Sequence, residues 1–124
     1  MTATVSLSVA ALSIDCADSA AVADFWGKAL GRPVSPGAVA GDTAVDAAGP
    51  ESGPRMLFHN VPEPKTVKNR IQLALATAHH DEETERLTGL GARPLSETML
   101  PGLRWTTLAD PEGNEFDLVT WQPE

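Results

Sequence analysis

A helical pattern of apolar residues stands near the N-terminus of the chain. Apolar side chains recur at helical spacing over residues 22–30, with Asp18 ahead of them as a typical N-cap. Gly31 can take the left-handed conformation that ends helices, and Pro33 cannot continue one. Residues 4–16 are rich in β-branched and apolar side chains, which alternate with polar ones towards the helix. The pattern therefore predicts a strand followed by a helix.

Three further strands are predicted in the first half of the chain. The Gly-, Pro- and Ala-rich stretch after the helix predicts two short strands, near residues 33–40 and 43–48. Residues 55–61 carry three consecutive apolar side chains and predict a longer strand. Pro62-Glu63-Pro64 then predicts an extended connector, because a residue before proline avoids the helical conformation.

The second half of the chain shows the same succession. Residues 69–77 alternate apolar and polar side chains and predict a strand. Residues 81–89 predict a helix with acidic side chains in its first turn, where the helix dipole favours them. Strands are predicted near residues 103–108 and 114–121, on either side of a tight turn at residues 110–114 that contains Pro and Gly.

An internal repeat decides the fold class. The segment Leu30-Gly31-Arg32-Pro33-Val34-Ser35 after the first helix corresponds to Gly91-Ala92-Arg93-Pro94-Leu95-Ser96 after the second, about sixty residues later. From this correspondence we predict that the order β-α-β-β-β occurs twice, with two of the three strands after the second helix located above. We predict a single α+β domain over residues 1–124, made of two tandem βαβββ modules at about 1–61 and about 65–124. The modules form a curved mixed sheet around an open cavity, with the helices on its outer face.

Side-chain alternation along the strands assigns each position to one face of the sheet. One set is expected to pack under the helices: Leu12, Ile14, Ile71, Leu73, Leu75, Phe116 and Leu118. The other set is expected to point to the concave face: Ser13, Asp15, Arg70, Gln72, Ala74, Glu115 and Asp117. Because the helices cover the first face, we expect any chemistry on the second.

Composition and charge narrow the range of partners. The net charge of −8 argues against a nucleic-acid partner and an anionic membrane surface, both of which attract basic proteins. No apolar run is long enough to span a membrane, and residues 1–11 lack the basic leader of a secretion signal. The single cysteine, Cys16, cannot form an intrachain disulfide. We expect a soluble protein in the cytoplasm, with Cys16 as a small buried side chain.

Three segments in the right order resemble the vicinal oxygen chelate superfamily, which includes glyoxalases, bleomycin resistance proteins and extradiol dioxygenases. They are Asp15-Cys16-Ala17-Asp18 leading into Phe25-Trp26, the connector at residues 61–70, and the segment at residues 108–116 with its Asp-Pro-Glu-Gly-Asn turn. The likeness is closest to the compact glyoxalase-like domain branch. It implies paired βαβββ modules that curl around a cavity.

The resemblance also implies a divalent metal held by side chains of the first, fourth, fifth and eighth strands. The first-strand position falls on Ala11, which has no donor atom, and the fifth- and eighth-strand positions fall on Gln72 and Asp117. His59 is the only possible ligand near the fourth-strand position, at residues 56–59. One carboxylate, one amide and one histidine form a poor site for a transition metal. No cofactor is therefore expected, although a divalent metal held by His59, Gln72 and Asp117 is possible.

Three classes of function follow from these candidates. The first is metal-independent binding or sequestration of a small organic ligand by Asp15, His59, Arg70, Gln72 and Asp117. The second is an enzyme of the same superfamily, either a metal-dependent lyase, isomerase or dioxygenase, or a metal-free catalyst with Asp117 or His59 as base. The third is an interaction module. A homodimer is expected, because open sheet edges are commonly covered by a second copy.

Several side chains allow two interpretations. Lys65, Lys68 and Arg70 form the one basic cluster, which would hold a ligand carboxylate or phosphate, or else pair with acidic side chains of the chain itself at Asp15, Asp117 or Glu63. Trp105 and Trp121 would line a cavity or a dimer edge, whereas Trp26 is expected in the helix core. His79 and His80 are expected at the start of a solvent-facing helix.

Overall fold

Ten helices and strands form the part of the chain that the computed structural model describes, residues 6–37, 39–49 and 52–121. In chain order they are β1 Ala11–Cys16, α1 Ser19–Leu30, β2 Val34–Pro36, β3 Thr43–Val45, β4 Arg55–Asn60, β5 Leu73–Ala76, α2 His80–Leu90, β6 Arg93–Leu100, β7 Leu103–Ala109 and β8 Glu115–Trp121. The β-α-β-β-β order therefore occurs twice, as predicted. Residues 4 and 5 of the first predicted strand and residue 38 of the second lie outside the described residues.

The strands form two four-stranded sheets with the same topology. Their orders are β1-β4-β3-β2 and β5-β8-β7-β6. In each sheet the first strand pairs in parallel with the fourth, and the other pairings are antiparallel. The α+β class with two βαβββ modules is thus confirmed. In both sheets the first strand of the module lies at one edge.

Helix α1 begins and ends where its capping residues predict. The Asp18 carboxylate accepts a hydrogen bond from the backbone N–H of Ala21 at 3.2 Å, and Gly31 adopts φ 65°, which L side chains rarely adopt. The inner face of the helix buries Val22, Phe25 and Trp26 almost completely. This helix is the main apolar contribution of the first module to the core.

An aromatic cluster joins the two modules. The ring centroids of Trp26 and Phe116 lie 4.9 Å apart in an edge-to-face arrangement, and those of Phe25 and Trp26 lie 5.4 Å apart. The indole N–H of Trp26 donates to the Asp110 carboxylate at 3.0 Å, and both residues are buried. The modules therefore share one core.

The predicted turn at residues 110–114 connects β7 to β8. One Asp110 carboxylate oxygen accepts hydrogen bonds from the backbone N–H groups of Glu112 and Asn114, each at 2.9 Å. Gly113 adopts φ 88°, which favours glycine. Asp110 therefore both organises this turn and binds the helix of the other module.

The connector between the modules is longer than predicted. Residues 61–72 form no helix or strand, and β5 begins at Leu73 rather than at residue 69. At residue 69 the backbone does not pair with β8. Instead the Asn69 side chain does so, because its Oδ1 accepts a hydrogen bond from the Glu115 N–H at 2.9 Å. The expectation that Ile71 packs under the helices is wrong, because 78% of this residue is exposed. The alternation that assigned it to the core does not extend into the connector.

His80 lies at the start of a helix as expected, but the expectation that it faces solvent is wrong. His80 is the first residue of α2, yet it is only 5% exposed. Its ring nitrogens lie 2.8 Å from the Thr120 hydroxyl and 2.7 Å from the Thr106 hydroxyl, both on the helix-facing side of the second sheet. His79, by contrast, faces solvent as expected. Neither helix of the described part is long and apolar enough to cross a membrane.

Candidate functional site

A cavity of about 880 Å³ lies between the two modules, and we call it the inter-module cavity. Six consecutive residues, 12–17, line one side of it, and residues of the connector and of the 110–114 turn line the other. Its apolar lining includes Ile14 of the first module together with Leu73 and Phe116 of the second. The cavity is therefore built by both modules and rests on their shared core.

Two of the predicted site residues line the inter-module cavity. Asp15 of β1 and Arg70 of the connector are both exposed and both belong to its lining. The predicted intramolecular pairing of the basic cluster involves another acid: Lys65 and Lys68 lie 3.7 and 2.9 Å from the Glu115 carboxylate. Within the described residues, Arg70 has no carboxylate partner. Arg70 is thus the cation of this cavity that is available to a ligand.

Glu112 is a further cavity residue, and the sequence analysis missed its role. Its two carboxylate oxygens accept hydrogen bonds from the backbone N–H groups of Ala17 and Asp18, at 2.6 and 2.7 Å. These groups immediately precede α1, where the helix dipole stabilises negative charge. Glu112 belongs to the turn motif at residues 110–114, but only the tertiary fold brings it to the other module.

Gln72 and Asp117 lie together on the concave face of the second sheet, outside the inter-module cavity. The Gln72 amide donates to Asp117 Oδ1 at 2.9 Å, which confirms that the two side chains share one face. The same oxygen accepts a hydrogen bond from the Thr107 hydroxyl at 2.6 Å. The Gln72 carbonyl oxygen accepts from the Lys68 ammonium at 3.0 Å. This group of polar side chains satisfies its own hydrogen bonds.

His59 lies on the concave face of the first sheet and pairs with Asp42. Its Nδ1 is 2.5 Å from Asp42 Oδ2, and this hydrogen bond raises the pKa of His59 above its ordinary value. The same bond lowers the pKa of Asp42, whose other oxygen accepts from the backbone N–H of Asn60. The pair borders a smaller cavity of about 120 Å³, which Ser13 also lines. Asp15 faces His59 across the β1–β4 pairing.

The structure thus divides the five predicted site residues among three places. Asp15 and Arg70 line the inter-module cavity, Gln72 and Asp117 bind each other on the second sheet, and His59 pairs with Asp42 on the first. Asp42 and Glu112 were not predicted, because nothing in the local sequence pattern links either of them to a partner so distant in the chain.

The residues at the four implied metal positions do not fit a divalent ion. Ala11 supplies no donor, and a Lys68 ammonium already occupies the Gln72 oxygen that would bind a cation. Asp117 Oδ1 accepts two hydrogen bonds, and His59 Nδ1 is bound to Asp42. Within the described residues, no three His, Cys, Asp or Glu side chains converge in a way that could hold a metal.

Cys16 is buried at the end of β1, as expected. Only 4% of it is exposed, and burial together with the nearby Glu112 carboxylate raises the pKa of its thiol to about 11. The thiol lies 3.5 Å from the His59 carbonyl oxygen. A thiol with this pKa stays protonated at neutral pH and is a weak nucleophile. Cys16 therefore acts as a packing residue beside the cavity.

Two βαβββ modules around a shared cavity define the fold of the glyoxalase/bleomycin resistance protein/dioxygenase superfamily. The sequence profile of the glyoxalase-like domain matches residues 11–119, and the chain belongs to this family. The predicted superfamily is therefore confirmed. No curated protein sequence shows significant similarity to the chain.

Solved structures support the same fold at low sequence identity. A superfamily member from Sphaerobacter thermophilus is 23% identical, covers 92% of this chain and 97% of its own, and superposes with a TM-score of 0.69. A mutant of the fosfomycin resistance protein FosX from Listeria monocytogenes, solved with Mn(II) and 1S,2S-dihydroxypropylphosphonic acid, is 16% identical over 93% of this chain and 90% of its own, with a TM-score of 0.73. A protein from Nocardioides is 18% identical over 97% and 87%, with a TM-score of 0.73.

Proposed function

We propose that this protein binds a small organic molecule in the inter-module cavity and that binding requires no metal ion. The observation that carries the proposal is the cavity itself, about 880 Å³ in volume and open between the two modules. Cavities of roughly 300–1,000 Å³ with an apolar lining and a few polar groups are typical of small-molecule sites. Here Ile71 and Leu73 supply apolar surface, while Asp15 and Arg70 supply charge.

Arg70 gives the proposed site its orientation. A guanidinium without a carboxylate partner can bind a carboxylate or phosphate of the ligand through two hydrogen bonds. Asp15, at the end of β1, would bind a donor group elsewhere on the same ligand. In this proposal Gln72 and Asp117 hold the second sheet together, and His59 has no contact with the ligand in the cavity.

Metal independence is supported by the chemistry of the donor set. The position on β1 that the family uses for a ligand carries Ala11, and the Gln72 oxygen, Asp117 Oδ1 and His59 Nδ1 are engaged in hydrogen bonds within the chain. Binding a cation at Gln72 would require displacement of the Lys68 ammonium. We therefore propose sequestration or carriage of the ligand rather than metal-dependent turnover.

A thermal-shift screen of metabolite-like organic acids on EDTA-treated protein tests this function. We expect at least one compound to raise the melting temperature, and Arg70→Ala to abolish that shift. The matched control is Arg93→Ala, because Arg93 is an exposed arginine of β6 that does not line the cavity. The proposal is overturned if stabilising compounds act equally on the Arg70→Ala variant, or only after Mn²⁺, Zn²⁺ or Ni²⁺ is added.

We also propose that the protein is a homodimer in the cytoplasm. Large apolar side chains are exposed along the outer edge of the second sheet, at Leu95, Met99 and Leu100 of β6, and Trp121 of β8 is 66% exposed. Exposed apolar surface beside the open edge of a strand commonly marks a contact between chains. Covering β6 with a second copy would bury these side chains and leave the inter-module cavity open.

A further inference from the structure

Within the residues that the structure describes, one edge of strand β1 has no neighbouring strand. Strand β1 stands at the end of its sheet and, among these residues, pairs with β4 alone. The hydrogen bond from the Val61 N–H to the Cys16 carbonyl shows that the backbone groups of Cys16 point to the β4 side. Because the backbone N–H and C=O groups of successive residues point to opposite edges of a strand, those of Ser13 and Asp15 point away from β4, to the open edge.

The open edge of β1 faces the inter-module cavity. All six residues at 12–17 line it, although their side chains alternate between the two faces of the sheet. A cavity touches every residue of a strand when it lies against the strand's edge rather than against one face. The backbone groups of Ser13 and Asp15 therefore belong to the cavity wall.

The same edge already binds one acceptor. Ala17 is the next residue whose N–H points outward, and it donates to the Glu112 carboxylate at 2.6 Å. Within the described residues, the outward N–H groups of Ser13 and Asp15 have no hydrogen-bond partner. The edge thus offers a row of backbone groups, of which only the last is occupied.

We infer that the ligand is a short peptide or a linear peptide-like amide that pairs with β1 as an added strand. This inference rests on the proposed function and names the ligand class of that site. Its amides would exchange hydrogen bonds with the backbone of Ser13 and Asp15, the mode by which extended peptides bind sheet edges. Alternate side chains would then face Ile71 and Leu73 of the cavity lining, and Arg70 would bind a carboxylate of the ligand.

The size of the cavity limits the length of the chain it can accept. A strand rises about 3.3 Å per residue, so the stretch at residues 12–17 spans roughly 20 Å. Pairing with both Ser13 and Asp15 requires at least three ligand residues. The cavity volume of about 880 Å³ lies in the range of drug-sized molecules, which points to a chain of about three to five residues.

A pooled set of acetylated tetrapeptides with alternating apolar residues and a free C-terminal carboxylate tests this inference, with binding followed by NMR. We expect binding to slow the amide exchange of Ser13 and Asp15. For the peptide that binds best, N-methylation of one alternate set of its amides should weaken binding about tenfold or more, and methylation of the other set only slightly. Arg70→Ala should weaken the carboxylate form but not its C-terminal amide.

Other outcomes overturn the inference and separate its failure from that of the proposed function. Equal weakening by both methylated sets, or binding only of organic acids without amides, would exclude a peptide paired with β1 as the ligand. Either result would still be consistent with the small-molecule site. Slow exchange of Ser13 and Asp15 in a dimer before any peptide is added would show that a second copy covers the edge. If neither peptides nor organic acids bind, the proposed function is wrong as well.

Discussion

Replacing Asp110 tests the link between the two modules most sharply. The buried Asp110 carboxylate accepts one hydrogen bond from the Trp26 indole of the first module at 3.0 Å. It accepts three more within its own turn, from the N–H groups of Glu112 and Asn114 and from the Asn114 side chain. Asp110→Ala removes all four bonds at once.

The expected cost follows from which donors can find water. The turn donors are partly exposed and can be rehydrated, so their loss is mostly recovered. The Trp26 N–H is buried, and an unsatisfied buried donor costs about 1–3 kcal/mol, while a hydrogen bond to a charged group contributes about 1.5–3 kcal/mol. We expect Asp110→Ala to lower the free energy of unfolding by about 3 kcal/mol. For a chain of this length that corresponds to roughly 10 °C in melting temperature.

Urea unfolding followed by far-UV circular dichroism measures this change. Asp24→Ala is the control, because the Asp24 side chain is 62% exposed and pairs only with Lys28 one helical turn away. Its expected cost is below about 0.5 kcal/mol. Trp26→Phe should cost less in the Asp110→Ala background than in the native chain, since the shared bond is already lost. A cost for Asp110→Ala below about 1 kcal/mol, or an equal cost of Trp26→Phe in both backgrounds, would show that this hydrogen bond does not stabilise the link between the modules.

Three further predictions concern titration, reactivity and assembly. Burial and the nearby Arg104 lower the pKa of His80, so the unfolded chain binds the proton first. His80 should therefore make the unfolding free energy fall as pH drops below about 6.5, whereas His59, whose pKa is raised, acts in the opposite direction. The unfolding free energy of the native chain minus that of His80→Asn should therefore decrease from pH 7.5 to pH 5; a difference that stays constant contradicts the assignment. Cys16, with a pKa of about 11, should react with a thiol reagent at pH 8 at least about tenfold more slowly in native than in urea-unfolded protein; comparable rates would show that it is accessible. Sedimentation at micromolar concentration should give twice the chain mass for the native protein and the monomer mass for Met99→Glu. A native protein that sediments as a monomer would show that the homodimer is not formed.

Much of the fold could be predicted because the signals are local and repeated. The cap at Asp18 and the stop at Gly31 bound a helix that needs no tertiary information to recognise, and α1 begins and ends there. The matching segments after the two helices then predict the duplicated topology. The side-chain alternation that placed Gln72 and Asp117 on one face is confirmed by their 2.9 Å hydrogen bond.

The parts that could not be predicted depend on distant contacts. Ile71 continues the alternation of β5 in the sequence, yet Asn69 binds Glu115 through its side chain and the backbone does not enter the sheet there. His80 looks like any polar residue at a helix start, but the hydroxyls of the second sheet enclose it. The contact of Glu112 with Ala17 joins residues 95 positions apart, and no periodic pattern can reveal it.

In the proposed function, a ligand binds in the cavity between the modules without a metal. The decisive experiment is a titration of EDTA-treated protein with the best compound from the thermal-shift screen, followed by amide chemical shifts. We expect the shifts that change to cluster at residues 12–17 and around Arg70, and the affinity to stay the same when Mn²⁺ or Zn²⁺ is added. Changes confined to Gln72, Asp117 and their neighbours, appearing only with the metal, would show instead that ligand binding requires a metal on the second sheet.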